Sequence, residues 1–473
     1  MGSKYIIKNA TVVSIDPKIG VVKNCDVLIE DELISAVGPS IKHAEDCTII
    51  DGTNAIVSPG FVDTHRHTWQ TQIRTITTDY VLADYLLALR HIYGSSYSAH
   101  DAYMGNYCGA LESIDNGITY LIDHSHIMNS PDHADAAVKG LLDSRIRAAF
   151  CYVLYTNPPW EGSYVDKKRE EETPNWRLED LPRIQKKYFP EDDRGNLVRF
   201  GFGPSEPLIT PPEQVAKEMQ AARDSGAKLI TAHVGLGQYD PGTFQVRNMA
   251  QQGALGPDVV LSHGTSLADD ELQSVKQFGV GLSSTPDTEL QMGMGHPVCF
   301  KAKDLGCNAS LGVDICSNSP ADMFQQMRLA LQSQRFQQNE LNPKAPLKIA
   351  RKCEEVLELA TMGGAKAVGL SDIIGSITPG KRADLILTRC DSPRLTPVHD
   401  PVGALVLYAN GSDIHDVFIN GVRVKADGKL AGIDWSKVRQ DLRKSTEAIM
   451  ETAKKAPMEE LEAAKNAMVQ MLN

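Results

Sequence analysis

The sequence predicts an α/β protein, a (β/α)8 TIM barrel with a small β-sandwich domain built from both ends of the chain. Three observations predict this fold. The middle of the 473-residue chain alternates apolar strand-like runs with amphipathic helical stretches, it contains eight strand candidates, and strand-rich segments flank it on both sides. We place the boundaries at 1–58 and 375–432 for the two parts of the sandwich, 59–374 for the barrel and 433–473 for a helical tail.

The flanking segments consist of short strands separated by turn residues. Before the barrel they are "YIIKNATVVSID", "CDVLIEDELISAVGP" and "CTIIDGTNAIVSPG", and after it they are "GKRADLILTRC" and "IHDVFINGVRVKADGKLAG". Two strand-rich pieces around a long middle indicate one small domain assembled from both ends of the chain.

The barrel strands begin with "SPGFVDTHRH", and helices such as "PDHADAAVKGLLDSR" and "TPPEQVAKEMQAARDSG" lie between them. An open doubly wound sheet is the alternative. It would be expected to carry a Gly-rich phosphate turn after its first strand, and this chain has none there. The later strand candidates are "GITYLIDHSH", "IRAAFCYVLY", "NLVRFGFGPSEP", "AKLITAHVG", "DVVLSHG", "GVGLSSTP" and "NASLGVDICS".

A charged stretch and the tail fall outside this alternation. Residues 156–185, with Trp160 and Trp176, follow the third strand. Their charge indicates solvated surface, although a long loop at a barrel mouth can also form a lid. The tail is a charged helical segment of the kind that packs on the surface or at a subunit contact, and we expect a homo-oligomer, a dimer or a tetramer.

Composition excludes several classes of partner. The net charge of −12 argues against binding to nucleic acid or to an anionic membrane surface. The sequence contains no run of about 18 apolar residues, so it predicts no membrane span. Nine cysteines without a CxxC pair fit neither a disulfide framework nor a zinc ribbon. We therefore expect a cytoplasmic protein with reduced thiols that acts on a small molecule.

Four strand ends carry residues of metal-binding type. His65 and His67 form His-x-His at the end of the first barrel strand, where alternate side chains point into one space. His233 ends the fifth candidate strand, His263 the sixth and Asp314 the eighth. Taken singly, each later histidine is better explained as a hydrogen-bonded core residue. Taken together at one end of one barrel, these residues predict a metal site.

These residues resemble a known family. "SPGFVDTHRH" at the start of a barrel, the two later histidines and "SLGVDICSNSPADMFQQMRLAL" near its end are similar to the amidohydrolase superfamily, in the branch of triazine hydrolases and cytosine and guanine deaminases. "GSITPGKRADLILT" and "VFINGVRV" resemble the closing β domain of that branch. The resemblance implies one divalent metal on His65, His67, His233 and Asp314, with His263 standing over the metal-bound water and the substrate.

A metal held in this way would activate water, because the pKa of bound water falls from about 15.7 toward about 7. Asp314 can accept the proton of that water and His263 can polarise the group under attack, so these two are the predicted catalytic residues. Zn2+ is the first expectation for the metal, and Fe2+, Mn2+ or Co2+ would accept the same ligands.

The chain departs from the resemblance at one position. Deaminases of this branch place a glutamate three residues after the fifth-strand histidine, and here that position is Leu236. Glu206, at the end of the fourth strand, and Glu289, after the seventh, are the candidate replacements, and each is equally well explained as a surface or ion-paired residue. Without the usual glutamate, an amide or a lactam is favoured over an aminated ring as substrate.

Further substrate contacts are predicted around the barrel mouth. Trp69 and Gln70 directly follow the His-x-His, and His296 lies beside "MGMG". Glu206 and Glu289 are candidates for the same role. A second His-x-His, His124 and His126, ends the second strand; it could hold another metal, but contacts to the substrate or to the ligands are favoured because the superfamily has no ligands there.

Three functions follow from these residues. The first is a metal-dependent hydrolase that cleaves a C–N bond (amide, lactam or amino group) of a small cyclic or aromatic compound, with ring deamination through Glu206 or Glu289 as a variant. The second is non-hydrolytic metal-assisted chemistry such as decarboxylation, C–C cleavage or cyclisation. The third is a non-catalytic binding protein, which the complete ligand set disfavours because a structural site needs no open coordination position.

Overall fold

The structure, a computed structural model, describes residues 4–191 and 194–472, with the side chains of 464 and 467–472 left out. Its strands are β1 (Lys4–Val13), β2 (Val21–Glu30), β3 (Leu33–Gly38), β4 (Thr48–Asp51), β5 (Ala55–Pro59), β6 (Phe61–His67), β7 (Ile118–Ser125), β8 (Arg147–Val153), β9 (Val198–Gly203), β10 (Leu229–Val234), β11 (Val259–His263), β12 (Gly281–Ser284), β13 (Asn308–Leu311), β14 (Asp314–Ile315), β15 (Leu385–Arg389), β16 (Ile414–Ile419), β17 (Val422–Ala426) and β18 (Lys429–Leu430).

The α-helices are α1 (Leu82–Tyr85), α2 (Gly94–Ser96), α3 (Ala99–Asp115), α4 (Pro131–Ser144), α5 (Lys167–Glu172), α6 (Trp176–Tyr188), α7 (Pro212–Asp224), α8 (Gln245–Gln251), α9 (Asp269–Gln277), α10 (Pro286–Gln291), α11 (Cys299–Leu305), α12 (Met323–Glu340), α13 (Cys353–Glu358), α14 (Gly364–Ala367), α15 (Pro401–Gly403), α16 (Trp435–Ala453) and α17 (Met458–Leu472). Short 3-10 helices lie at Thr68–Ile73, Gly237–Tyr239 and Gly411–Asp413. Segments of π-helix lie at Leu86–Tyr93, Leu359–Gly363 and Ala404–Tyr408.

A nine-stranded parallel sheet forms the middle of the molecule. Its strands follow one another in chain order from β6 to β13. At the other edge β14 pairs with β6, with Asp314 opposite Arg66. Buried strands of this kind are apolar on both faces, which is why they appear in the sequence as continuous apolar runs. The curled sheet is consistent with the predicted barrel, and helices such as α4 and α7 connect its strands.

The junction between β13 and β14 consists of Gly312 and Val313 and is held against β6. The Asp63 carboxylate accepts hydrogen bonds from the backbone N–H of His65 at 3.2 Å and of Val313 at 3.0 Å. A Cβ at Gly312 would lie 2.9 Å from the Cβ of His65, so only glycine allows this close approach. The junction therefore brings Asp314 beside the His-x-His of β6.

The small domain is a nine-stranded mixed sheet of β1–β5 and β15–β18. β5 pairs with β1 on one side and with β15 on the other, so it joins the two ends of the chain. The predicted domain from both chain ends is thus present. Its strands form one continuous hydrogen-bonded sheet, because β5 links both groups of strands; the folding of this sheet into a sandwich stays a prediction. Its core includes Ile7, Val27, Val57, Leu385 and Phe418.

A buried ion pair joins the two sheets. Arg147 opens β8, and its guanidinium donates to both carboxylate oxygens of Asp384, at 2.6 and 3.1 Å. The same guanidinium donates to the Asn420 side chain at 2.9 Å, and the Asn420 backbone N–H donates to Asp384 at 2.7 Å. Both charged side chains are 1% exposed.

The charged stretch 156–185 forms two helices rather than a plain surface loop. The prediction of solvated surface holds for α5, which has no buried residue. It is wrong for α6, where Trp176 and Arg177 are buried. Arg177 pairs with Glu170 of α5 at 2.8 Å, so part of the charge that indicated solvent is used inside the fold.

The predicted helical tail is α16 and α17, and it packs on the connection between β6 and β7. Ser445 of α16 donates to Asp101 of α3 at 2.6 Å. Ala456 and Leu461 share a small apolar cluster with Leu87 and Ile92, and Lys465 pairs with Asp84. The outermost residues of the predicted domains, 1–3 and 473, lie outside the described residues. Within the described ranges, no helix combines the length and the apolar character needed to cross a membrane.

Candidate active site and metal centre

The five predicted metal-site residues meet at the carboxyl ends of the parallel strands. His65 and His67 end β6, His233 lies in β10, His263 ends β11 and Asp314 opens β14. Asp314 Oδ1 lies 3.3 Å from Nε2 of His65 and 3.3 Å from Nε2 of His67. One ring nitrogen each of His65, His233 and His263 lies within 4.8 Å of the others.

This donor set fits a divalent metal ion. Ligand atoms about 2.0–2.1 Å from one tetrahedral ion lie about 3.3 Å apart, which is the spacing between Asp314 and the two imidazoles of β6. Nε2 of His65 is buried and has no hydrogen-bond partner among the described residues. Burial holds the pKa of His65 well below its usual value and lowers that of His67, so both rings are neutral and keep a lone pair for a metal.

Asp314 is ionised in this setting. Burial alone would raise the pKa of its carboxyl group, but the interactions with the adjacent imidazoles of His65 and His67 hold that pKa well below the usual value. An ionised oxygen among neutral imidazoles is the arrangement that a divalent cation requires.

The far sides of the β6 imidazoles are held by the neighbouring strands. Ser262 Oγ of β11 lies 2.8 Å from Nδ1 of His65. Nδ1 of His67 donates to the backbone carbonyl of His124 in β7 at 3.0 Å. Partners of this kind fix the ring orientation and leave Nε2 for the metal.

His233 is held by a carboxylate and a phenol. Its Nδ1 lies 3.1 Å from Glu206 Oε2 and 3.1 Å from the hydroxyl of Tyr155. The Tyr155 hydroxyl also donates to Glu206 Oε2. The other carboxylate oxygen of Glu206, Oε1, is buried and has no partner among the described residues. Glu206 is thus both a support of a metal-site histidine and a carboxylate with one oxygen free.

His263 is held from behind by Thr285 and Glu289. Its Nδ1 lies 3.0 Å from Thr285 Oγ1 and 3.6 Å from Glu289 Oε1. Glu289 is fully buried and accepts a hydrogen bond from the Thr285 backbone N–H at 2.7 Å. Burial lowers the pKa of His263, but the nearby carboxylates of Glu289 and Asp314 outweigh it and leave the pKa raised.

Two site residues have a strained backbone. His263 and Asp314 both adopt φ of 74°, in the left-handed region that non-glycine residues rarely occupy. Such a conformation costs about 1–3 kcal/mol per residue and persists only where surrounding structure imposes it. Here the pairing of β14 with β6 and of β11 with β10 imposes it, and it turns both side chains toward the same centre.

A cavity of about 610 Å³ opens over these residues. Its walls are mainly apolar, and its polar groups converge on the metal-site residues. The apolar lining is Leu82, Leu86, Leu154, Leu208, Ile209, Leu236, Pro241, Met292, Met294 and Ile315, and the polar lining includes His67, Tyr85, Arg90, His126, Tyr155, Glu206, His233, His263 and Asp314. Such a cavity has the size and character of a small-molecule site.

The residues predicted as substrate contacts lie at different depths. Glu206 lines the cavity. Gln70 lies behind Tyr85 and donates to its hydroxyl at 2.8 Å. Trp69 is fully buried against the rings of Tyr97 and His126. Glu289 lies behind His263, as described above. Nδ1 of His296 lies 3.0 Å from the carbonyl oxygen of Pro297. Substrate contact by Gln70, Trp69, Glu289 and His296 stays a prediction.

The cavity residues that sequence reasoning missed include Tyr85, Arg90 and Tyr155. Tyr155 lies two residues after the end of β8, so the strand-end rule that found the histidines could have found it as well. Tyr85 and Arg90 lie in the long connection between β6 and β7, where no strand marks the cavity. The isolated arginine in the apolar run "YLLALRHIY" could have indicated a functional side chain in this connection.

Comparison with known proteins agrees with this geometry. The model of the amidohydrolase family matches residues 56–424. A 5'-deoxyadenosine deaminase of Methanosarcina mazei is 30% identical over 457 residues, covering 94% of this chain and 98% of the relative. A zinc-bound adenosine deaminase from Xanthomonas campestris has a TM-score of 0.81 at 21% identity, covering 95% of this chain and 99% of that one. A triazine hydrolase variant has a TM-score of 0.82 at 22% identity, covering 94% and 99%.

The fold and the site define a metal-dependent hydrolase that acts on C–N bonds. The chain belongs to the amidohydrolase family, because the family model and the relative both span most of its length. The family and the hydrolytic activity predicted from the sequence are therefore confirmed.

Proposed function

We propose that the protein is a zinc-dependent deaminase that removes the amino group from an aminopurine nucleoside or a closely similar ring compound. The observation that carries this proposal is the position of Glu206, which supplies a carboxylate to the cavity although Leu236 replaces the usual one. The deaminase names of the relatives support it. Glu206 and these relatives together favour an amino group over an amide or a lactam as the group that is cleaved. The preference for an amide or a lactam, drawn from Leu236 alone, is thereby reversed.

Glu206 has the properties of a proton carrier. Burial would raise the pKa of its carboxyl group, but His233 and Tyr155 hold that pKa below the usual value, so the carboxylate is ionised. Oε2 is engaged by His233 and Tyr155, while Oε1 has no partner among the described residues. Oε1 can therefore take up a proton and deliver it to a ring nitrogen or to the departing ammonia.

The other residues take the roles that their positions allow. His65, His67, His233 and Asp314 would hold the metal, which when bound supplies a Lewis acid that brings the pKa of coordinated water to about 7. Asp314 accepts a proton through its second oxygen. His263, held by Thr285 and Glu289, donates a hydrogen bond to the developing negative charge. Overall, the oxygen of water replaces the amino group on the ring carbon and ammonia leaves.

Glu206→Gln tests the proposal most directly, since it keeps the shape of the side chain and removes its ability to carry a proton. We expect kcat for ammonia release from an aminopurine nucleoside to fall by about 10²–10⁴, with one zinc ion per chain retained. Glu213→Gln, an exposed glutamate on α7, is the matched control. Glu289→Gln, measured beside it, tests the second candidate shuttle. Unchanged turnover in Glu206→Gln would reject this role of Glu206.

We also propose the finer architecture predicted from the sequence. The parallel sheet closes as an eight-stranded (β/α)8 barrel, in which β13 and β14 are two parts of the eighth strand. The support is that they are two residues apart and pair with β12 and β6 respectively. The domain boundaries 1–58, 59–374, 375–432 and 433–473 remain our proposal, as do a homo-oligomeric state and a cytoplasmic location. The nine cysteines are free thiols, which supports a reducing compartment.

A further inference from the structure

Arg90 places a positive charge in the cavity without a carboxylate partner among the described residues. It lies in the helical turn Leu86–Tyr93 and lines the cavity. Its Nε donates to Asn157 Oδ1 at 3.2 Å, and its guanidinium carbon lies 4.3 Å from the centre of the Tyr155 ring. Its two terminal nitrogens make no hydrogen bond to any residue that the structure describes.

Three arginines that are fully buried among the described residues are each paired with a carboxylate. Arg66 pairs with Glu112 at 2.9 Å, Arg147 with Asp384 at 2.6 Å, and Arg177 with Glu170 at 2.8 Å. Taking an unpaired ion out of water costs several kcal/mol, so folded chains seldom leave one without a partner. Arg90 differs from these three because it is only partly buried, lines the cavity and has no carboxylate partner among the described residues.

Glu206 does not neutralise Arg90 by direct contact. Its Oε2 is engaged by Tyr155 and His233, and the described residues include no ion pair between Glu206 and Arg90. The guanidinium packs over the ring of Tyr155 and lines the cavity, and the two terminal nitrogens at its edge have no hydrogen-bond partner among the described residues. That edge is a planar pair of donors, the geometry that matches two oxygens of one acid group.

We propose that the substrate carries an anionic oxygen group, a carboxylate or a phosphate, that binds the terminal nitrogens of Arg90. Tyr155 sets the distance to the reacting end, since its ring lies under Arg90 and its hydroxyl lies 3.1 Å from Nδ1 of His233. One small molecule can therefore reach both the anion site and the metal site. The mainly apolar walls strengthen the charge interaction. This inference rests on the proposed function, because it names the substrate class of the same site.

The test compares three nucleosides that differ in one substituent, using the zinc-loaded full chain. The compounds are adenosine 5'-carboxylic acid, adenosine 5'-monophosphate and the neutral adenosine 5'-carboxamide. We expect kcat/KM for one of the anions to exceed that for the amide by about tenfold or more, mainly through a lower KM, as for a charge-assisted bidentate contact. Whichever anion is preferred identifies the group as carboxylate or phosphate.

Arg90→Gln should bring the ratio of kcat/KM between that anion and the amide to near one. Arg247→Gln, which removes an arginine paired with Asp270 outside the cavity, should leave the ratio as in the wild type. Arg90→Lys keeps the charge without the planar pair of donors and should give an intermediate ratio; it also serves if the glutamine variant fails to fold. No preference for either anion in the wild type overturns the inference. So does a preference that survives in Arg90→Gln, because Arg90 would then only support Tyr155.

Failure of the proposed function is recognised separately. If none of the three compounds releases ammonia, the deaminase proposal fails, and equilibrium binding of the same compounds to the zinc-loaded chain then decides the inference. Calorimetric dissociation constants that favour an anion over the amide in the wild type, and not in Arg90→Gln, support the anion site. If the ratio of the dissociation constants for the anion and the amide is the same in the wild type and in Arg90→Gln, the inference is overturned.

Discussion

Tyr155→Phe removes one oxygen atom from the site and tests how far Glu206 depends on its neighbour. The Tyr155 hydroxyl donates to Oε2 of Glu206 and lies 3.1 Å from Nδ1 of His233. A hydrogen bond to a charged group contributes about 1.5–3 kcal/mol. If that energy holds the carboxylate in its reactive position, its loss lowers kcat by about 10- to 150-fold. His233 keeps its contact with Glu206 at 3.1 Å, so metal binding should persist.

The assay is ammonia release from an aminopurine nucleoside, with the zinc content of each preparation measured in parallel. Tyr103→Phe is the matched control, because the Tyr103 hydroxyl also donates to a carboxylate, that of Asp143 at 3.0 Å, but on the helical surface. A kcat for Tyr155→Phe within twofold of wild type, at unchanged zinc content, would refute the argument. A parallel loss of zinc and activity would show that Tyr155 supports the metal ligand rather than the carboxylate.

Three further predictions follow from the site and its supports. Removal of the metal by a chelator should abolish turnover and lower the melting temperature, with zinc restoring both; turnover by metal-free protein would contradict the site. Asp384→Ala should lower the free energy of unfolding, measured in urea, by about 3–5 kcal/mol, because it leaves Arg147 buried without a charged partner. The double change Arg147→Met with Asp384→Leu should recover most of that loss. A loss under about 1 kcal/mol in Asp384→Ala would argue against a stabilising role of the ion pair. Leu236→Glu introduced into Glu206→Gln should raise kcat at least about tenfold by returning a carboxylate to the cavity; no gain would show that the two positions are not equivalent.

The residues proposed for the metal site could be placed at one edge of the sheet from the sequence because each lies at or next to the carboxyl end of an apolar strand. In a parallel sheet the strand order places all those ends on one edge, so local patterns predict a meeting of residues far apart in the chain. His65 and Asp314 are separated by about half of the chain, yet their juxtaposition follows from the strand pattern alone. The strained φ of Asp314 and the supports behind each ring do not follow from it, since they depend on contacts between neighbouring strands.

The cavity wall could not be predicted in the same way. Arg90 lies in a connection without a strand, and its position depends on how that connection folds back over the mouth. The burial of Trp176 was hidden by the charge of its segment, because Arg177 and Glu170 neutralise one another inside the fold. The single continuous small sheet depends on β5 pairing with strands from both ends, which strand patterns alone do not specify.

The connection that carries Tyr85 and Arg90 is bounded on its outer side by α16 and α17, whereas the proposed metal ligands all lie on strands of the parallel sheet. Changes in the tail or in Leu82–Tyr93 can therefore reshape what the cavity accepts without disturbing the ligands. Mutations that alter substrate range and mutations that abolish catalysis fall in different parts of the chain. A lineage of such proteins can acquire new substrates by drift in this outer layer while its hydrolytic chemistry is inherited unchanged.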